Sequence, residues 1–151
     1  MKNLIKTFVQ NTQDSTNSIA SLALRVPAGI IFAAHGAQKL FGWFGGYGLQ
    51  GTAGWMESIG LTPGIPLTLM AGGAEFFGGL ALILGLLTRP AAFVLAITML
   101  VAIFSVHFAN GLFMSNNGYE FALSLLAISV ALTFSGAGRF AIDNWLAKKL
   151  A

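Results

Sequence analysis

Four apolar stretches constrain this chain most, because each approaches the length needed to cross a bilayer. A hydrocarbon core about 30 Å thick needs about 20 helical residues at about 1.5 Å each. The stretches are Ile19 to Phe41, Ile65 to Leu87, Ala91 to Phe108 and Tyr119 to Phe134. Of the 151 residues only 9% are charged, against roughly 25% in soluble domains. We expect one all-α domain, residues 1–151, embedded in a membrane.

The connections predict how these helices are arranged. Leu87 to Pro90 is very short, and proline suits the first turn of a new helix. Asn110 to Gly118 is rich in turn residues. Both connections favour neighbouring helices that run in opposite directions. The sequence thus predicts an integral membrane, antiparallel bundle of four transmembrane helices.

The first connection has a different composition. Gly42 to Gly51 is rich in glycine and aromatic residues, and Thr52 can cap a short helix to Ile59. Leu49, Ala53 and Met56 fall near one face of that segment, which indicates that it lies in the membrane interface. Three aromatic residues would form an interfacial belt there: Trp43, Tyr47 and Trp55.

Lysine and arginine predict the orientation, because they are retained on the cytoplasmic side. One side, or its vicinity, holds Lys2, Lys6, Arg25, Arg89, Arg139, Lys148 and Lys149. The other side holds Lys39. Both termini are therefore expected in the cytoplasm. Met1 to Ser21 is too polar for a cleaved signal peptide, so we expect no cleavage.

Two further features exclude function classes. The net charge is +3, but the basic residues are dispersed, so nucleic acid is not an expected partner. The chain contains no cysteine, which excludes disulfide exchange, thiolate metal sites, iron–sulfur clusters and haem attached through cysteine.

Polar residues inside the predicted helices are hypotheses for a site, because ionisable groups are costly in a membrane. Arg25, His35 and Lys39 recur at helical spacing along one stripe of the first helix. His35 and His107 lie at comparable depth near the outer face. We predict an outward-opening ligand pocket lined by His35, Gln38, Lys39, His107, Asn110 and Glu120. The structural alternative is a network that holds the helices together.

Glu75 is the one carboxylate near the middle of the membrane. An isolated charge there would be protonated or paired, and the structural interpretation is a buried pair with Arg25 or His35. Ala71 and Gly79 lie one turn to either side and leave room for a helix, a long side chain or a ligand.

A separate set of charges lies at the cytoplasmic side. For arginines there the structural interpretation is that they extend to lipid phosphates. The set consists of Arg25, Arg89, Arg139 and Asp143.

These motifs together resemble the DoxX family of small bacterial membrane proteins, over about Arg25 to Asp143. The matching elements are His35 to Gly42 with Gly45 and Gly46, Gly72 to Glu75 with Gly78 and Gly79, Leu87 to Pro90, His107, Gly118 to Glu120, and Gly136 and Gly138 before Asp143. The family takes its name from a subunit of an archaeal thiosulfate:quinone oxidoreductase. The resemblance implies four membrane helices, a bacterial inner membrane location and a redox function.

Two hypotheses of function follow. The first is a redox subunit that interacts with quinone or a redox complex, with Glu75, His35 and Lys39 as catalytic groups and electrons from a cofactor or partner. Haem on His35 and His107 is disfavoured, and a metal on those histidines and Glu120 is a similar minor alternative. The second is a non-enzymatic accessory or scaffold subunit that docks through glycine-rich faces, with partner subunits or as a homo-oligomer. Passage of a solute or protons is a weaker third.

Overall fold

The computed structural model describes residues 19–150, which are helical apart from turns and loops, with no strand among them. Lys2 and Lys6 lie outside the described residues, and so does most of the segment for which we expect no cleavage. The helices are α1 (Ile19–Phe41), α2 (Gly48–Ser58), α3 (Gly64–Leu84), α4 (Thr88–Ala102), α5 (Glu120–Ser135) and α6 (Ile142–Leu150).

Three helical segments are long and apolar enough to cross a membrane. They are α1, α3 and Thr88–Asn110, in which α4 continues through a π-helical turn, Ile103–His107, and a 3-10 turn, Phe108–Asn110. The predicted all-α membrane fold is confirmed to this extent. Helix α5 is apolar but has 16 residues, fewer than the roughly 20 that a full span needs.

Some helix ends differ from the sequence prediction. The second stretch ends at Leu84, because Gly85 takes a left-handed conformation (φ 64°) and the Leu86 N–H donates to the Ala81 carbonyl at 2.9 Å. The third helix begins at Thr88 instead of Ala91, which leaves proline in its first turn as expected. Helix α2 begins at Gly48, four residues before Thr52, the predicted start, and α6 had no counterpart in the prediction.

Helices α1 and α3 touch at their backbones. A Cβ added to Gly29 would lie 2.7 Å from the Gly79 carbonyl oxygen, and one added to Gly36 would lie 2.7 Å from the Gly72 carbonyl oxygen. Small residues allow such close approach, which favours helix association in membranes. The space left beside Glu75 by Gly79 is thus filled by α1.

Helices α4 and α5 form the second closely packed pair. Their inner faces are apolar and meet side chains of α1. The buried cluster there includes Ala28, Phe32, Leu95, Met99, Ala122, Leu125 and Leu132.

Arg25 joins the helices at one end of the molecule. Its side chain is 1% exposed. The guanidinium donates five hydrogen bonds of 2.6 to 3.0 Å to backbone carbonyls of Leu82, Ile83, Ala137, Arg139 and Phe140. The expectation that Arg25 extends to lipid phosphates was therefore wrong, because the carbonyls at the end of α3 and after α5 point towards it.

The other charges of this set have different environments. The Asp143 carboxylate accepts the N–H groups of Leu87 and Thr88 at 2.7 and 3.0 Å, which caps the start of α4. Arg89 is half-buried, and Arg139 is exposed with its guanidinium 5.6 Å from the centre of the Phe140 ring.

Candidate ligand cavity

A cavity of about 840 Å³ lies between α1, α3, α4 and α5, and α2 covers part of it. Most of its wall is apolar. Five of the predicted site residues line it: His35, Gln38, Lys39, Glu75 and His107. A mostly apolar cavity with a few polar groups is typical of small-molecule sites.

The central polar feature is an ion pair across the α1–α3 interface. Lys39 Nζ lies 2.5 Å from Glu75 Oε2, and the two side chains are 25% and 5% exposed. Glu75 is paired, but its predicted partners, Arg25 and His35, were wrong, because Arg25 binds carbonyls near the far end of α3. Lys39, one turn beyond His35 on the same stripe, reaches Glu75 instead.

The two histidines reach the cavity from different elements. His35 projects from α1 beside Phe121, with ring centres 5.9 Å apart. His107 ends the π-helical turn, and such turns are frequent at functional sites. Nδ1 of His107 lies 2.9 Å from the Asn117 carbonyl oxygen. A carbonyl only accepts, so Nδ1 carries the proton and Nε2 of the neutral ring is an acceptor.

Asn110 and Glu120 do not line the cavity. The Asn110 side chain donates to the carbonyls of Val106 and Asn117 at 3.2 and 3.3 Å. Glu120 Oε1 accepts the Met114 N–H at 2.6 Å. Both residues therefore shape the connection before α5.

The metal alternative finds no support in this arrangement. Residues 19–150 contain no group of three or more histidine, cysteine, aspartate or glutamate side chains that could hold a metal ion. His35, His107 and Glu120 are thus not assembled as a ligand set.

Lining side chains reach the molecular surface in two places. Met70 of α3 and Val94, Ile97 and Val101 of α4 are exposed apolar residues. At the α2 end, exposed Tyr47 and Trp55 line the cavity, together with Asn117. Hydropathy alone did not identify the exposed apolar residues of α3 and α4 as part of the cavity wall, because residues facing lipid and residues facing a cavity are equally apolar.

The fold and cavity define a helical membrane protein with a largely apolar internal site that contains one ion pair and two histidines. The DoxX family model matches residues 20–108. The chain belongs to the DoxX family, as its motifs predicted.

Three relatives show what kinds of protein the chain is similar to. An uncharacterized protein of Haemophilus influenzae is 43% identical over 110 residues, which are 67% of this chain and 82% of the relative. The protein named "Putative oxidoreductase CatD" of Bacillus subtilis is 35% identical over 86% of this chain and 89% of its own length. Inner membrane protein YqjF of Escherichia coli is 35% identical over 87% and 95%. No solved structure matches the chain significantly.

Proposed function

We propose that the protein is a quinone-associated redox subunit that binds the quinone ring in the cavity between its helices. The observation that carries the proposal is the Lys39–Glu75 ion pair within a mostly apolar cavity of about 840 Å³. A quinone needs an apolar slot together with groups that bind its oxygens and exchange protons. The name of the Bacillus subtilis relative, "Putative oxidoreductase CatD", agrees with this class of reaction.

The chain's own residues would bind the ring oxygens and move protons. Lys39 has donors besides the one directed at Glu75 and can donate to a quinone carbonyl. Nε2 of His107 can accept the hydrogen of a quinol hydroxyl. Glu75 and His35 can exchange protons with these groups, because both line the same cavity.

The cavity's surface contacts support a ligand that is dissolved in the bilayer. Exposed Met70, Val94, Ile97 and Val101 lie on segments that are able to span the membrane, so in this proposal this side would face hydrocarbon. The aromatic side chains at the α2 end suit the interface with water. A molecule with an apolar tail and a polar ring matches both environments.

Electrons must come from elsewhere. The chain has no cysteine, and the roles proposed for Lys39, Glu75 and the two histidines are hydrogen bonding and proton exchange, not electron transfer. The proposal therefore includes a partner redox subunit or protein as the electron donor or acceptor. Haem on His35 and His107 is not part of it.

We further propose that α1, α3, Thr88–Asn110 and a shortened span made by α5 cross the bacterial inner membrane as an antiparallel bundle. Arg25, the α3–α4 turn and the start of α6 meet at one end of the molecule. This end, which includes Arg139, Lys148 and Lys149, would be cytoplasmic together with both termini. The name of the Escherichia coli relative supports the membrane assignment.

Trp55 provides a direct test, because it lines the cavity. In a Trp43→Phe, Trp145→Phe background it is the one remaining tryptophan. Titration with a short-tailed quinone in detergent should give saturable quenching of Trp55 fluorescence. Ala71→Phe fills the cavity from α3 and should abolish the saturable phase.

Ala81→Phe is the matched control. Ala81 is also a half-buried alanine of α3, but it does not line the cavity. In the Ala81→Phe variant, the quinone should quench Trp55 fluorescence saturably, as in the parent protein. Purely linear quenching in the parent, or equal behaviour of the two phenylalanine variants, would refute quinone binding at this site.

A scaffold role remains the second candidate. It is motivated by a shallow apolar groove between α3 and α4, lined by Gly73, Phe77, Gly78, Pro90 and Ala91. The glycines of the α1–α3 contact cannot serve it, because they are already covered within the chain. Loss of a partner's activity on deletion, with Ala71→Phe fully active, would favour this role.

A further inference from the structure

The segment from Arg139 to Lys149 presents aromatic and basic side chains at one end of the molecule. Phe140 is 80% exposed and Trp145 is 58% exposed. Arg139, Lys148 and Lys149 are exposed as well. We call these five residues the basic aromatic surface.

Buried contacts hold this surface in place. Phe140 has a left-handed backbone (φ 53°), which is rare for an aromatic residue. Its carbonyl and that of Arg139 are fixed by hydrogen bonds of 2.7 and 3.0 Å from the Arg25 guanidinium. The ring of Phe140 is therefore directed outwards by a conformation that Arg25 stabilises.

Helix α6 is fixed to the same end. The Asp143 N–H donates to the Gly85 carbonyl at 2.9 Å, while its carboxylate caps α4. The Asn144 side chain donates to the Gly138 carbonyl at 2.7 Å. The helix thus begins beside the turn between two segments that can span the membrane, at the level where a bilayer surface would lie.

The exposed charge of this segment has one sign. Its three exposed ionic side chains are basic, and its single acidic residue, Asp143, is buried and hydrogen bonded. Clusters of lysine and arginine next to membrane helices attract anionic lipids, and tryptophan is enriched at the same level. Lys149 Nζ already lies 4.8 Å from the centre of the Trp145 ring, so cation and aromatic ring are presented together.

We propose that the basic aromatic surface docks α6 onto a layer of anionic phospholipid headgroups. Arg139, Lys148 and Lys149 bind the lipid phosphates, while Phe140 and Trp145 insert among the headgroups. This docking does not depend on the ligand of the cavity. Because the start of α6 is held by Asp143 and Asn144, docking sets the depth of Trp145 and of the end of the helix, which then depends on the fraction of anionic lipid.

The test uses the full chain with Trp43→Phe and Trp55→Phe, which leaves Trp145 as the reporter. The protein is placed in vesicles whose acyl chains carry bromine, which quenches nearby tryptophan. Vesicles of phosphatidylglycerol mixed with phosphatidylcholine should quench Trp145 strongly, and phosphatidylcholine alone should quench it weakly. Added salt should reduce the difference.

Charge variants complete the test. Each lysine changed to glutamine should weaken docking about fivefold, as expected for one basic residue at an anionic surface. Lys148→Gln is the cleaner variant, because Lys149 touches the reporter ring. Lys148→Arg with Lys149→Arg keeps the charge and should behave like the parent.

Two results would overturn the proposal. Equal quenching in both kinds of vesicle would show that anionic headgroups are not recognised. No quenching in either would place Trp145 away from the lipid and leave an acidic protein surface as the alternative occupant.

Discussion

Arg25→Lys is the sharpest test of how the end of the molecule around Arg25 is held together. Arginine has five N–H donors and lysine has three. Arg25 makes five hydrogen bonds to backbone carbonyls, so lysine must lose at least two of them. The positive charge is retained, and the substitution therefore isolates the hydrogen-bonding geometry.

The size of the effect follows from these contacts. A hydrogen bond to a charged group contributes about 1.5 to 3 kcal/mol. Two lost bonds should lower the free energy of unfolding by roughly 3 to 6 kcal/mol. The loss is not recovered from water, because the Arg25 side chain is 1% exposed.

Unfolding in mixed micelles, with rising sodium dodecyl sulfate and far-UV circular dichroism, measures this difference. Arg139→Lys is the matched control, because that side chain is exposed, and it should change the free energy by less than about 0.5 kcal/mol. Equal stability of the two variants would refute the role assigned to Arg25.

Three further predictions concern packing and charge. Gly36→Ala should destabilise the fold by about 1 to 3 kcal/mol, since its Cβ would lie 2.7 Å from a backbone oxygen of α3, whereas Gly73→Ala, with nothing within 4 Å, should be neutral or stabilising in the same micelle assay. Asp143→Ala removes both cap contacts of α4 and should cost about 0.5 to 2 kcal/mol, with faster hydrogen exchange in its first turn. Lys39→Met should destabilise more than Lys39→Met with Glu75→Leu, because the single variant leaves a buried carboxylate unpaired. If the double variant is the less stable of the two, the unpaired Glu75 carboxylate does not explain the destabilisation by Lys39→Met.

The sequence predicted the helices as far as hydropathy could define them. The end of α1 at Phe41 matches because Gly42, in a left-handed conformation (φ 72°), directly follows the apolar run. The end of α3 was placed too late because Leu86 and Leu87 continue the apolar run after Gly85. Helix α6 was missed because it is short and mixed in composition, and its position depends on contacts with distant parts of the chain.

The polar residues of the site could be predicted for each helix separately, but the ion-pair partner of Glu75 could not. Helical spacing placed His35 and Lys39 on one stripe, and depth placed His107 near the same face. Which cation meets Glu75 depends on the vertical offset between α1 and α3. Arg25 binds the Leu82 carbonyl, seven residues and about 10 Å further along α3, so it cannot reach Glu75. The spacing of side chains within one helix gives no information about that offset between two helices.

The glycine contact between α1 and α3 also has a mechanical consequence. Gly29 and Gly36 face Gly79 and Gly72, so the two helices meet backbone to backbone at these positions. Such a contact allows little sliding, and the Lys39–Glu75 pair crosses it as well. We therefore expect α1 and α3 to move together as one rigid unit. Widening of the cavity is then expected from the elements that face this pair, α4 and α5, or from α2, which covers part of the cavity.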